Sequence, residues 1–215
     1  MPPKIPNSLD AHWYWDVNRF AVHTSWAHGF MAFYAEYGAV GVLGVLLLAA
    51  WWRARSSPDP LQAVSAVLWA AGGTVLAWGL AHYGLKPLIA RPRPYFAMPQ
   101  AEVLLHKTTG YSFPSGHATV AGAVIVGLWL SRDKLMTILA AIVGLLLCFG
   151  RVYTGMHYPG DVAGGLVFGS LILLVAYPPA VALLRRFDKL LLDKTPLAVM
   201  VSSRPPDRHT KVGAA

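Results

Sequence analysis

Five stretches of this chain are apolar for long enough to cross a bilayer, and the charged residues gather between them. Residues 31–52 are apolar apart from Glu36, and 61–85 carry no formal charge. A third stretch opens at Ser115 and runs to about Ser131, a fourth covers 135–153 and a fifth 162–184. A spanning helix takes roughly 20 residues, within a range of about 17–25, so the third is at the short end. Pro178 and Pro179 are expected to kink the fifth or end it early. Residues 8–28 mix polar positions with Trp13, Tyr14, Trp15, Phe20 and Trp26. They read as an interfacial helix with aromatic anchors, with a sixth span as the alternative. The expected fold is an all-α, polytopic membrane helical bundle of five strong transmembrane helices plus this N-terminal interfacial helix. Its organisation would be an interfacial segment at 1–29, a transmembrane domain at 30–195 and a flexible cytoplasmic tail at 196–215.

Composition agrees with the pattern. Of 215 residues, 55% are hydrophobic and 13% charged, with a mean hydropathy of +0.47, whereas soluble domains are about 25% charged. The net charge of +8 does not mark a nucleic-acid binder, because the cations sit at the ends of apolar stretches and form no single stripe. Residues 1–12 lack an apolar core, so no cleavable signal peptide is expected. Cys148 lies inside an apolar run and reads as a small buried hydrophobe.

The distribution of cations sets an orientation. Arg53, Arg55, Arg132, Lys134, Arg185, Arg186, Lys189, Lys194, Arg204, Arg208 and Lys211 fall on one side, eleven in all. Lys4, Arg19, Lys86, Arg91, Arg93, Lys107 and Arg151 fall on the other, seven in all. The excess places the first group in the cytoplasm. The segments 86–114 and 151–161 then share the extracytoplasmic face.

Three motifs meet on that face. The first is Lys86-x6-Arg93-Pro94, in a proline-stiffened loop. The second is Pro114-Ser115-Gly116-His117, at a helix start. The third is Arg151-x5-His157-x3-Asp161. Arginine forks bind phosphate oxygens bidentately and lysine acts as a point charge. A helix start offers unpaired N–H groups to an anion, and Gly116 lets a phosphate approach the backbone. His117 is placed to donate a proton to a leaving oxygen. Asp161, four residues after His157, is within reach of one ring nitrogen, which would leave the other as acceptor or nucleophile. Asp161 also suits a plain helix cap, and both roles are compatible. Arg91 reads as an interfacial side chain that snorkels. Glu36 reads equally as an acid facing the site or as an interfacial residue hydrogen-bonded to a neighbouring helix.

In this order and spacing the motifs resemble those of the type 2 phosphatidic acid phosphatase superfamily, over roughly residues 60–180. One position departs: serine commonly precedes the arginine of the third motif, and here Gly150 stands there. The resemblance implies a two-step phosphoryl transfer without metal or cofactor. His157 would be the nucleophile, oriented by Asp161. His117 would protonate the leaving group and later activate water. Lys86, Arg93, Arg151 and the Ser115 and Gly116 backbone would hold the phosphate. The segments Asn18-Arg19-Phe20-Ala21 and Phe33-Tyr34-Ala35-Glu36-Tyr37-Gly38 are similar to the opening of the superfamily's bacterial undecaprenyl-diphosphatases. That likeness implies a lipid phosphate substrate in the bacterial cytoplasmic membrane, with undecaprenyl diphosphate first. Alternatives are phosphatidate, phosphatidylglycerol phosphate and lipid-linked sugar phosphates. A non-hydrolytic lipid-phosphate transporter is the alternative of another class. Membrane lipids are expected partners and nucleic acid is not.

Overall fold

The structure, a computed structural model, describes residues 8–194 and 200–203. Helix α1 is Leu9–His23, capped by the Ser8 hydroxyl, which accepts from the Ala11 amide. Helix α2, Ser25–Ala54, runs for 30 residues. Helix α3, Pro60–Gly79, has Pro60 in its first turn and Asp59 as its cap. It continues through a widened turn, Leu80–Leu85, into the short helix α4, Lys86–Ile89. Helix α5 is Pro94–Ala97, α6 Gly116–Leu130, α7 Lys134–Tyr153, α8 Pro159–Val175 and α9 Tyr177–Lys194.

Among the described residues, three helices are long and apolar enough to cross a membrane: Ser25–Ala54, Pro60–Ala97 and Lys134–Tyr153. The fifth expected span is broken. Helices α8 and α9 meet at a 54° bend, immediately before Pro178 and Pro179, as their missing donors and ring bulk demand. Counted as one bent span they make a fourth. Helix α6, with 15 residues, is apolar but shorter than these. The architecture is that of a multi-pass, all-helical membrane protein. Large side chains such as Val45, Leu48, Ile142 and Val175 project outward, where lipid solvates them.

Helix α6 occupies the centre, packed on both α3 and α8. Glycines let α8 approach it: a β-carbon on Gly169 would collide with the Thr119 carbonyl, and one on Gly165 with the Ser115 carbonyl. Small residues at such crossings give close backbone packing where no hydrophobic force drives helices together. Gly73 of α3 is likewise crowded, by Leu173 and Trp69, whereas Gly72 and Gly79 face open space. Of the segment 196–215, only 200–203 are described. They lie against the α2–α3 turn, with the Ser203 amide donating to the Arg55 carbonyl at 3.1 Å.

Helix α1 is not an apolar span. It lies across the ends of α7 and α8, burying Ala11, Tyr14, Asn18 and Ala21. Asn18 ties it to the loop after α5, giving to the Glu102 carbonyl at 2.7 Å and taking from the Glu102 amide at 3.0 Å.

Candidate active site

The three motifs converge where α4, α6, α7 and α8 end or begin on one side of the bundle. Lys86 does not stand in a loop; it opens α4, in line with α3, and the loop starts at Ala90, whose φ is 51°. The Lys86 ammonium donates to the Tyr111 carbonyl at 2.9 Å. Arg93 is buried and donates through Nε to the Gly110 carbonyl (2.9 Å) and through Nη1 to the Met156 carbonyl (3.1 Å). The Met156 carbonyl holds the first motif against the third, and the Gly110 carbonyl ties it to the loop before the second.

Arg151, in the last turn of α7, is 3% exposed. Its Nη1 donates to the Ala35 carbonyl at 3.0 Å and to Glu36 Oε2 at 2.7 Å. Its Nε is buried without a hydrogen-bond partner within the protein. Glu36 lies on a widened π-type turn of α2, Tyr34–Gly38, a distortion common near functional positions. That turn also directs the Glu36 carbonyl at His117, whose Nε2 donates to it at 3.2 Å. Glu36 is therefore a member of the cluster.

Ser115 stands at the N-cap position of α6, yet its hydroxyl makes no hydrogen bond within the protein. Its carbonyl is occupied by the amide and hydroxyl of Thr119. Gly116 faces the indole of Trp78, where a β-carbon would sit 3.4 Å from the ring nitrogen.

His157 is 2% exposed and lies between two charges of opposite sign. Nδ1 is 3.5 Å from Asp161 Oδ2, an ion-pair distance without hydrogen-bond geometry. On the far side of the ring, Nε2 is 3.4 Å from Arg93 Nη1. Since an arginine nitrogen can only donate, Nε2 presents its lone pair to Arg93 and the ring proton sits on Nδ1, on the Asp161 side. Burial, followed by the positive charges of Arg151, Arg93 and Lys86, holds the imidazole well below the usual histidine range. It is thus a neutral base at physiological pH.

Asp161 caps α8 and stands beside His157 without a hydrogen bond to it. Oδ2 accepts from the Tyr158 amide at 2.9 Å, capping α8, and turns the same edge toward His157. Its own backbone carbonyl accepts from the Ser115 amide at 2.9 Å, which couples the second motif to the third. Burial and the nearby Asp161 and Asp10 charges push the Tyr158 phenol upward despite Arg91, so its hydroxyl stays neutral.

Arg91 overturns the snorkelling expectation. Its Nη1 donates to Asp161 Oδ1 at 2.8 Å and its Nη2 to Asp10 Oδ2 at 2.6 Å. Its guanidinium carbon lies 4.1 Å from the Tyr158 ring centroid. Asp10, a residue the sequence offered no reason to single out, also accepts from the Gly160 amide at 2.7 Å. Asp161 has no exposed surface, and a buried carboxylate requires a partner. That requirement was a usable signal, but the sequence did not say which cation would answer it. Among the described residues, no group of three or more His, Cys, Asp or Glu is placed to hold a metal ion.

Residues 66–182 match the family model described as the PAP2 superfamily. The chain is 32% identical to undecaprenyl-diphosphatase BcrC of Bacillus subtilis, over 73% of this chain and 76% of that one. It is 40% identical to an undecaprenyl-diphosphatase of Sulfolobus acidocaldarius, over 40% of this chain and 42% of that relative's length. Among solved structures it is similar to a transmembrane PAP2-type phosphatidylglycerolphosphate phosphatase from Bacillus subtilis. The TM-score there is 0.56 and the identity 25%, with 85% of this chain and 88% of the other covered.

Proposed function

The chain belongs to the PAP2 superfamily, and from that premise we propose that it is a membrane phosphatase hydrolysing undecaprenyl diphosphate to undecaprenyl phosphate. The observation that carries this reading is the placing of His157. A buried neutral imidazole has a carboxylate 3.5 Å behind it and an arginine 3.4 Å in front. In the proposed reaction the Nε2 lone pair attacks the terminal phosphorus. The bond from that phosphorus to the bridging oxygen breaks, and His117 gives a proton to the departing oxygen. Water then attacks the phosphohistidine and gives a proton back to His117, the P–N bond breaks, and inorganic phosphate leaves. Because the Nε2–H of His117 is engaged with the Glu36 carbonyl, the proton is exchanged at Nδ1, and His117 enters the first step as the imidazolium, which the negative charge of the bound diphosphate favours. Lys86, Arg93 and Arg151, with the Gly116 amide that opens α6, bind the phosphoryl oxygens; the Ser115 amide, expected to share that role, is taken by the Asp161 carbonyl, and the unpaired Ser115 hydroxyl stands in its place. Such preorganised donors contribute on the order of 10²–10³ in rate each.

Domain limits and sidedness belong to the same proposal. The catalytic domain comprises residues 30–195, with α1 lying on its outer face. Arg53 and Lys134 stand at the ends of α2 and α7 remote from Glu36 and Arg151. With these cations cytoplasmic, the site opens on the extracytoplasmic side of the bacterial membrane. Single cysteines placed at His106 and at Arg132, in a Cys148→Ala background, should react with an impermeant thiol reagent on opposite faces of intact cells. Labelling from the same face would reverse this assignment.

Phosphate release by the purified protein from a panel of lipid phosphates tests the substrate. Undecaprenyl diphosphate should be turned over fastest. Clear preference for phosphatidate removes the proposal, and preference for phosphatidylglycerol phosphate supports the reading suggested by the structural neighbour.

A further inference from the structure

The family model begins at residue 66, yet a carboxylate from residue 10 enters the catalytic turn. We propose that Asp10 and Arg91 are positioning residues: Asp10 of α1 sets the fork of Arg91, and Arg91 aims the Asp161 carboxylate at His157. The proposal rests on the reading of His157 as nucleophile.

The connections are continuous and geometrically specific. One terminal nitrogen of Arg91 is spent on Asp10 at 2.6 Å and the other on Asp161 at 2.8 Å, so the planar fork spans two carboxylates. The second oxygen of Asp10 takes the Gly160 amide at 2.7 Å, immediately before Asp161 in the chain. Stacking of Arg91 on Tyr158 leaves the guanidinium little freedom to rotate. Helix α1 is itself pinned here. The Tyr14 ring packs 5.5 Å from that of Tyr158, and its hydroxyl donates to the Gly155 carbonyl at 3.3 Å. With Oδ1 of Asp161 held by Arg91 and Oδ2 by the Tyr158 amide, the carboxylate plane is determined from both ends. The gap of 3.5 Å to Nδ1 is the quantity this arrangement controls. A misplacement of about 1 Å at such a point costs on the order of 10²-fold in rate. Lysine cannot replace the fork, since one ammonium does not bridge two carboxylates in a plane.

The test is a double-mutant cycle in the full-length protein, read as kcat and KM for undecaprenyl diphosphate. Arg91→Gln should lower kcat about 100-fold and Asp10→Asn about tenfold, with KM within about twofold. Because both act through one chain of contacts, the double variant should lose no more than Arg91→Gln alone. Arg91→Lys should restore only a small part of the loss. Arg91→Gln should also move the acid limb of the kcat profile to higher pH. Asp161 loses its cation, while His157 still faces Arg93, Arg151, Lys86 and His117. Independent losses that multiply in the double variant, a change confined to KM, or kcat within twofold of wild type would each overturn the proposal. If Arg91→Gln does not fold, Asp10→Asn on the outer helix decides alone: kcat must fall with thermal melting unchanged. His157→Ala, measured in parallel, separates the two ideas. Its inactivity beside a fully active Arg91→Gln rejects only the positioning role, whereas its retained turnover rejects the reading of the site.

Discussion

The two ends of the helix bundle carry similar charges in opposite circumstances. Near the turn between α6 and α7, Arg53 bridges Asp133 at 2.7 Å, and the Arg53 side chain is 53% exposed. At the other end, Arg151 and Asp161 are 3% and 0% exposed, respectively, and meet Glu36 and Arg91. Exposed pairs are screened and add little, whereas burial of an ion pair is costly unless every lone pair is met. A cluster of buried cations around a neutral histidine is therefore not a device for stability. It concentrates positive potential at one end of the bundle, as the proposed binding of a phosphate requires. The remote end shows what membrane-flanking charges look like without that demand: solvated, and spread along turns.

The sharpest way to break this contrast is at His157. His157→Ala should reduce turnover by on the order of 10⁴-fold or more while leaving the melting temperature close to wild type, as loss of a nucleophile does elsewhere. Next comes Arg151→Lys, expected to lower kcat/KM on the order of 10²-fold in phosphate-release assays. The charge survives there, but the fork that serves Ala35, Glu36 and an incoming oxyanion does not. Activity close to wild type would mean that charge alone, not geometry, distinguishes this end.

His157 is neutral in the folded protein at pH values where a free imidazole, with its value of 6.5, takes up a proton. The acid limb of kcat/KM, which reports the free enzyme, should therefore lie below pH 6.5, and a limb at or above that value would mean that burial does not hold the imidazole neutral. Below pH 6.5 the unfolded chain binds a proton that the folded chain refuses, so this residue's contribution to stability falls as the pH drops.

At the remote end the effects should be small. Asp133→Ala removes the cap of α7, where its carboxylate accepts from the Met136 amide. It should destabilise by about 1 kcal/mol in a denaturation assay with turnover unchanged. Arg53→Ala, which leaves that cap intact, should alter turnover less than twofold and melting least of all.

Much of the site was legible because its chemistry is local in sequence. The i+4 spacing of His157 and Asp161 and the Ser-Gly-His helix start specify side-chain geometry within one turn. Proline at 178 and 179 likewise announced the bend between α8 and α9. The pairing of Arg91 is not legible locally, because an arginine at the end of an apolar run has the same signature whether it snorkels or pairs. Its partners lie 70 and 81 residues away. Glu36 was ambiguous for a related reason. Whether it reached Arg151 depended on a widened turn in α2, which no residue in that segment dictates alone.

By itself the sequence determined which residues can carry phosphate chemistry and which stretches must be shielded from water, because hydropathy and helical spacing act over a few turns. The tertiary structure decided which charge answers which. The crossing of α6 and α8 at Gly165 and Gly169, and the lie of α1 across the turn before α8, accompany the approach of Asp10, Arg91 and Asp161 to within hydrogen-bond distance. Packing of backbones sets such separations to a few tenths of an ångström, and the value of a buried charge depends on them that steeply.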